Sequence, residues 1–354
     1  MRVLFVGSPD VGHLVPMFGL ARAMRDAGHS VGVATHASMK GLVRDNGLEL
    51  LPVGLSAADR QRERSRRWPQ WDDAPPSVWG HAMFVEIQGP ATLRDLRSIF
   101  AADRPDLIVH EEGEYAAPVV AFENRVPLIT HGWGAPPRSD ADFAQVQASA
   151  PVLWEGVAPV PPMAGLFAQG FVDPCPPAFG AGAAVRPRWP IRPTVLGETD
   201  ADQSEAPRDT CYIGFGTVAG FAASDDEVAA ATRAARAHGL RVVTSAPDTF
   251  VSLPDLLPRC QLVVTHGGAG TSTAALRYGV PLVVVARGTP SQRRMAEGVE
   301  RAGVGRAASP EELERVVDEV LSDDAYAAAA ARAAREIAAM PSPAAVAAEL
   351  TDSL

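Results

Sequence analysis

The sequence predicts an α/β protein with two doubly wound parallel-sheet domains facing each other across a cleft. Three observations predict it. Short apolar runs alternate with helical patterns from the first residues to about the "VPLITHG" run at 126–132. The alternation restarts at Thr210, after the acidic, proline-containing stretch "IRPTVLGETDADQSEAPRD". The 354 residues, 47% of them hydrophobic, are enough to bury two cores of ordinary size. The expected division is an N-terminal domain over 1–190, a linker over 191–209, a C-terminal domain over 210–339 and a terminal segment over 340–354.

The elements follow in order. "RVLFVG" is a first strand closed by Gly7. "HLVPMFGLARAMRDAG" places Leu14, Met17, Leu20, Ala21 and Met24 on one helical face and stops at Gly28. "SVGVATH", helix "MKGLVRDNG" and "LELLPVG" continue the pattern. Strands apolar on both sides require a parallel sheet covered on both faces. "AADRQRERSRRWPQWDDAPPSVWG" reads as loop at first, with "RQRERSRRW" a solvated helix face rather than an acid-binding patch, and turns helical through "MFVEIQGPATLRDLRSIFAADR". "PDLIVHEE", helix "YAAPVVAFENR" and "VPLITHG" complete the first sheet, and Trp133 to Pro190 reads as irregular. Long insertions at the ends of parallel strands build binding surface. The second half gives strands "TCYIGFG", "LRVVTSA", "QLVVTHG" and "PLVVVAR", separated by helices "DDEVAAATRAARAHG", "PDLLPRC" and "TSTAALRYG" and followed by "QRRMAEGVERAG". The tail is two helices broken at Pro341 and Pro343.

Composition excludes several classes. A net charge of −10 argues against a nucleic-acid partner, which would need a basic face. Cys175, Cys211 and Cys260 form no CxxC pair, which fits a reducing cytoplasm, and no His, Cys and Asp set has metal-ligand spacing. No signal peptide or apolar span of about 20 residues is visible, so neither secretion nor a membrane helix is expected.

The chemical signal is "VVTHGGAGTSTAAL". A strand that breaks into glycines and enters a helix points backbone N–H groups and a helix dipole at one spot, which suits an anion. Gly267, Gly268 and Gly270 keep side chains out of the way, and His266 and Thr271 offer further donors. The alternative is a glycine turn that only packs helix on strand. No Lys follows, so it is not a Walker A turn, and it does not open a first βα unit as a dinucleotide fingerprint does. A weaker turn of the same kind, "GFGTVAG", brings Gly216 and Thr217 to the same sheet edge. Two such turns suit a diphosphate.

These residues resemble the GT-B fold glycosyltransferases of family 1, and most closely the bacterial enzymes that attach sugars to antibiotics and other natural products. "GHLVPM", "PDLIVHE", "FVSLPDLLPRCQLVVTHGGAGT" and the Pro-broken terminal helices carry the resemblance, which covers nearly the whole chain. It implies a terminal helix that crosses back to the N-terminal domain. It also implies that His266, Gly267, Gly268, Gly270 and Thr271 hold the diphosphate of a dTDP- or UDP-sugar, with Phe250 and Val251 lining the base. The family's Asp-Gln pair, which binds sugar hydroxyls, falls on Ser291 and Gln292. A serine cannot accept two hydroxyl bonds as a carboxylate can, so a deoxysugar is expected. The segment before "FVSLP" is also shorter than in the family.

Position alone leaves His13 open between a base and a helix cap. Its unperturbed pKa near 6.5 suits a base. The resemblance implies the base role, with Glu111 as its carboxylate partner and Glu112 and Glu114 as solvated loop charges. No metal and no cofactor beyond the nucleotide sugar is implied. Trp68, Trp71, Trp79, Phe84 and Trp133 suit a flat apolar aglycone such as a polyketide. A homodimer is expected on base rates. Two rival readings are a nucleotide-sugar epimerase or hydrolase, against which the tryptophan-rich insertions argue, and an inactive homologue that assists another transferase.

Overall fold

The computed structural model describes residues 1–74, 76–180, 185–198, 207–215, 223–245 and 251–353. Gly216, Thr217 and Phe250, and part of the 191–209 linker, lie outside the described residues.

The first half runs β1 (Arg2–Val6), α1 (Val11–Asp26), β2 (Ser30–Thr35), α2 (Lys40–Asp45), β3 (Glu49–Pro52), α3 (Ala57–Arg67), α4 (Pro76–Ala82), α5 (Gly89–Ala102), β4 (Leu107–Glu111), α6 (Ala117–Asn124), β5 (Leu128–His131), α7 (Asp140–Ser149), α8 (Pro151–Trp154), β6 (Phe171–Asp173) and β7 (Arg188–Pro190). A π-helical turn, Met83–Gln88, joins α4 to α5. Among the described residues these strands form one parallel sheet in the order β3-β2-β1-β4-β5-β6-β7. The second half runs β8 (Thr210–Gly214), α9 (Asp225–Ala237), β9 (Arg241–Thr244), α10 (Leu253–Leu256), β10 (Cys260–Thr265), α11 (Ala269–Arg277), β11 (Leu282–Val284), α12 (Pro290–Arg301), β12 (Gly305–Ala307), α13 (Leu313–Ser322), α14 (Asp324–Ala338) and α15 (Pro343–Ser353). Its parallel sheet has the order β12-β11-β10-β8-β9.

The reason for two-sided burial is visible strand by strand. β4 and β8 are buried at every residue. Leu4, Val6 and Ile108 pack on one face of the first sheet, and Val3, Phe5, Leu107 and Val109 on the other. The predicted stripe of α1 is fully buried on that second face. Each such aliphatic side chain contributes roughly 1.5–3 kcal/mol on burial. Val346, Ala347 and Leu350 of α15 join the α1 core, while α14 packs on α11. The chain therefore ends by returning to the first sheet.

Two readings from sequence change. The arginine run after β3 lies on the regular helix α3, capped by Ser56 accepting from the Asp59 amide. Its Arg60 and Arg64 are buried, so the charged face is not wholly solvated. The stretch after Trp133 contains α7, closed by a Ser139–Asp142 capping box, and two three-residue strands, β6 and β7. Strands that short carry no readable period.

Strand order fixes where chemistry can sit. β1 has β2 on one side and β4 on the other, and β8 has β9 and β10. These are the two points where chain direction across the sheet reverses and a crevice opens at the carboxyl ends.

Candidate active site

The first crevice is built around Glu111. Val6 stands opposite His110 in register, so the turn after β1 lies beside the last residue of β4. Glu111 is completely buried. Its Oε1 accepts from the Ser8 amide at 3.3 Å and faces His13 Nδ1 at 3.0 Å. Its Oε2 accepts from the Gly113 amide and from Trp133 Nε1, the latter at 2.9 Å. A carboxylate only accepts, so Nδ1 carries the proton in that bond. The neutral ring then leaves the Nε2 lone pair unused, with no partner among the described residues.

The electrostatics agree with that geometry. Burial pushes the His13 pKa down, but the charge and hydrogen bond of Glu111, helped by Asp10, outweigh it and hold it above the usual value. Burial pushes Glu111 up, but His13 and the backbone donors hold it well below the ordinary carboxylate range. The imidazole is clamped on both faces. Phe84 stacks at 5.3 Å and 25°, and Trp133 lies at 4.5 Å and 47°. Arg60 lies over the Phe84 ring at 5.3 Å, and Arg138 over the Trp133 ring at 5.5 Å.

The second crevice is the glycine turn after β10. Gly267 has φ of +85°, and a Cβ there would stand 2.9 Å from Val284 Cγ1. At Gly268 a Cβ would strike the His266 ring, 2.7 Å from Nε2. The His266 ring bonds the Gly214 backbone. Burial first, and then the Arg287 charge, push its pKa down to about 4, so it is neutral at working pH. Among the described residues no protein acceptor takes the N–H groups of Gly267, Gly268, Ala269, Gly270 or Thr271. No described atom stands within 4 Å of where a Cβ on Gly270 would point. The turn offers amides, a dipole and space.

The two crevices lie close together. α1 touches α11, Gly134 lies against Thr273, and Arg294 of α12 donates to the Pro136 carbonyl at 3.0 Å and to Asp142 at 2.7 Å.

Of the residues singled out from sequence, the structure gathers His13, Glu111, Phe84 and Trp133 on one rim. It gathers His266, Gly267, Gly268, Gly270 and Thr271 on the other. Trp68, Trp71 and Trp79 gather around Arg64 instead. The first two meet at 4.8 Å with their rings tilted by 41°, Trp79 donates to the Ala74 carbonyl, and Arg64 lies 4.5 Å over the Trp79 ring. Gln292 is 3% exposed, and its Oε1 accepts from the Arg287 amide at 2.7 Å, so that oxygen holds the β11–α12 turn. Ser291 Oγ is 3.2 Å from Thr289 Oγ1, and Val251 packs half-buried on the second core. Glu112 and Glu114 are not solvated. Glu112 pairs with Arg138 at 3.3 Å, and Glu114 accepts from the Ala116 and Ala117 amides at the start of α6. Sequence reasoning missed Asp10, Arg60 and Arg287. Arg60 and Arg64 share a helical face at i, i+4 spacing, which was the available signal.

Comparison with known proteins decides the class. Residues 217–353 match the family described as erythromycin biosynthesis protein CIII-like, C-terminal domain. The elloramycin glycosyltransferase ElmGT of Streptomyces olivaceus is 30% identical over 99% of this chain and 97% of its own. The chain belongs to the GT-B glycosyltransferases of bacterial antibiotic pathways. The L-demethylnoviosyl transferase of Streptomyces niveus is a further relative, 29% identical over 98% of this chain and 97% of its own. The solved glycosyltransferase SsfS6 of Streptomyces sp. SF2575, complexed with thymidine diphosphate, shares the fold with a TM-score of 0.78 at 23% identity over the full length of both chains. The two facing parallel sheets are thus those of a GT-B glycosyltransferase, an enzyme that transfers a sugar from a nucleotide to an aglycone.

Proposed function

We propose that this glycosyltransferase inverts the anomeric centre, works without a metal ion, and moves a deoxysugar from a dTDP- or UDP-sugar to a hydroxyl of a natural-product aglycone. His13 Nε2 takes the proton of the acceptor hydroxyl as its oxygen attacks the anomeric carbon. Glu111 holds the ring through Nδ1 and offsets the charge it gains, as the acid does in a Ser-His-Asp arrangement. The diphosphate leaves from the opposite face of the sugar. The amides of Gly267–Thr271 and the α11 dipole balance its charge. His266 holds the turn by its bond to Gly214 and its packing over Gly268.

One observation carries this reading: a buried carboxylate 3.0 Å from the Nδ1 of a histidine whose other nitrogen has no partner among the described residues. Proton NMR of the glycoside product tests it. An anomeric configuration opposite to the donor's is expected, and retention refutes the mechanism. The sugar class rests on Ser291, whose hydroxyl faces Thr289 and supplies no carboxylate for sugar hydroxyls. Kinetics with UDP-glucose against a set of dTDP-deoxysugars tests that part. Preference for UDP-glucose over all of them refutes it.

A further inference from the structure

We propose that Arg60 is a recognition residue of the acceptor site, reading a neutral carbonyl oxygen that the aglycone carries close to the hydroxyl to be glycosylated. This rests on the reading of the cleft given above.

The observation is an unfinished hydrogen-bond set. Arg60 is 3% exposed, yet among the described residues its Nε and Nη1 are enclosed with no hydrogen-bond partner. Among those residues only Nη2 is engaged, to Asp10 Oδ2 at 2.6 Å. Arg64, one turn further on the same face, is the internal control. It is equally buried, but its Nη1 donates to the Trp71 carbonyl at 2.8 Å and its Nη2 to Asp72 at 3.2 Å. Arg64 ties α3 to the following loop. Arg60 ties little, and leaving buried N–H groups unpaired is costly.

Place gives the unpaired groups a use. The Arg60 guanidinium lies over Phe84, and Phe84 stacks on His13. Arg60 and Asp10 both act electrostatically on His13. His13 and Arg60 both contact the Phe84 ring, so a small molecule whose hydroxyl meets His13 lies one aromatic ring from Arg60. Charge selects among oxygen acceptors. Asp10 already neutralises Arg60, and Glu111 leaves the rim one negative charge in excess. A carboxylate would add a second, whereas a ketone, ester or quinone oxygen accepts both N–H groups without that repulsion.

The test uses the full chain saturated with dTDP and three probes: 1-naphthol, 1-hydroxy-2-acetonaphthone and 1-hydroxy-2-naphthoate. Tryptophan fluorescence quenching reads their affinities. Wild type is expected to bind the acetonaphthone at least 10-fold more tightly than 1-naphthol and the naphthoate no better than 1-naphthol, as a hydrogen bond from a charged donor implies. In Arg60→Met the preference falls to about 1, while the melting shift given by dTDP stays as in wild type. Arg60→Lys keeps part of the preference and serves if the Met variant does not fold. Equal binding of the first two probes by wild type, binding of none, or a preference surviving in Arg60→Met overturns the proposal. Tightest binding of the naphthoate overturns the neutral-carbonyl assignment. Absence of a dTDP shift in wild type is a failure of the cleft reading itself, distinct from these.

Discussion

Replacing Trp133 by Phe separates two roles that one side chain could play. The indole covers the imidazole of His13 and also donates from Nε1 to Glu111 Oε2 at 2.9 Å. Phenylalanine keeps an aromatic face against His13 and removes only the donor. Glu111 Oε2 is then left with the Gly113 amide. A hydrogen bond to a charged group is worth about 1.5–3 kcal/mol net, and Glu111 is fully buried, so the loss of stability near neutral pH should fall in that range. Urea denaturation measures it.

The kinetic consequence has a definite sign. A carboxylate with fewer donors is a stronger base and grips the His13 proton more firmly. The His13 pKa, already held above its usual value, rises further. Catalysis needs the neutral ring, so the acid limb of kcat/KM moves to higher pH in Trp133→Phe. The acceptor KM is little changed. If Trp133 served only as a wall for the aglycone, KM would rise and the limb would stay in place. That second pattern refutes the positioning argument.

Four further outcomes are expected. His13→Ala lowers kcat by about 10²-fold or more, the usual contribution of a general base, with dTDP affinity unchanged by titration calorimetry. Gly268→Ala drives a methyl into the His266 ring, so dTDP binding weakens by 10-fold or more, as the melting shift at fixed dTDP reads. EDTA leaves the rate unchanged if amides and the helix dipole alone offset the leaving charge. Activity and stability part company with pH. The acid limb of kcat/KM lies above 6.5, whereas the His13–Glu111 contribution to stability is fullest between about 4.5 and 6.5. It fades as pH rises through the raised His13 value, and as pH falls below 4.5 towards the depressed Glu111 value.

What could be read from the sequence was whatever has a period or a breaker. The two-sided apolar strands β1, β4, β8 and β10 and the stripe of α1 announced themselves. So did the glycine turn after β10, because three glycines in a strand-to-helix junction have few other uses. The buried side of α3 was illegible for a physical reason. Arg60, Arg62, Arg64, Arg66 and Arg67 give it no apolar stripe, and it packs through guanidinium groups laid on Phe84 and Trp79. Glu112 and Glu114 looked solvated because adjacent acids usually are. Their burial depends on Arg138 and on the α6 amides, partners that only the fold brings near. The aromatic residues divided in the same way. Sequence gave Trp68, Trp71, Trp79, Phe84 and Trp133 one common reading, and only the last two reach His13.

Both halves of the site obey one rule, and that rule explains why the chemistry is divided between them. Each sheet opens a crevice where its strand order reverses, at β1 and β4 in one and at β8 and β10 in the other. The first crevice is lined by a carboxylate and a basic ring, which suit removal of a proton. The second is lined by unpaired amides, which suit a departing anion. A single crevice holding both would let Glu111 repel the diphosphate and let the amides compete for the carboxylate. Under the proposed mechanism, separating them on two sheets keeps the base beside one charge and the leaving group beside the other, with the transferred carbon between them. Gly134 lies against Thr273 of α11 where the two halves meet, so changes at either residue, remote from the reacting atoms, should alter turnover through spacing alone.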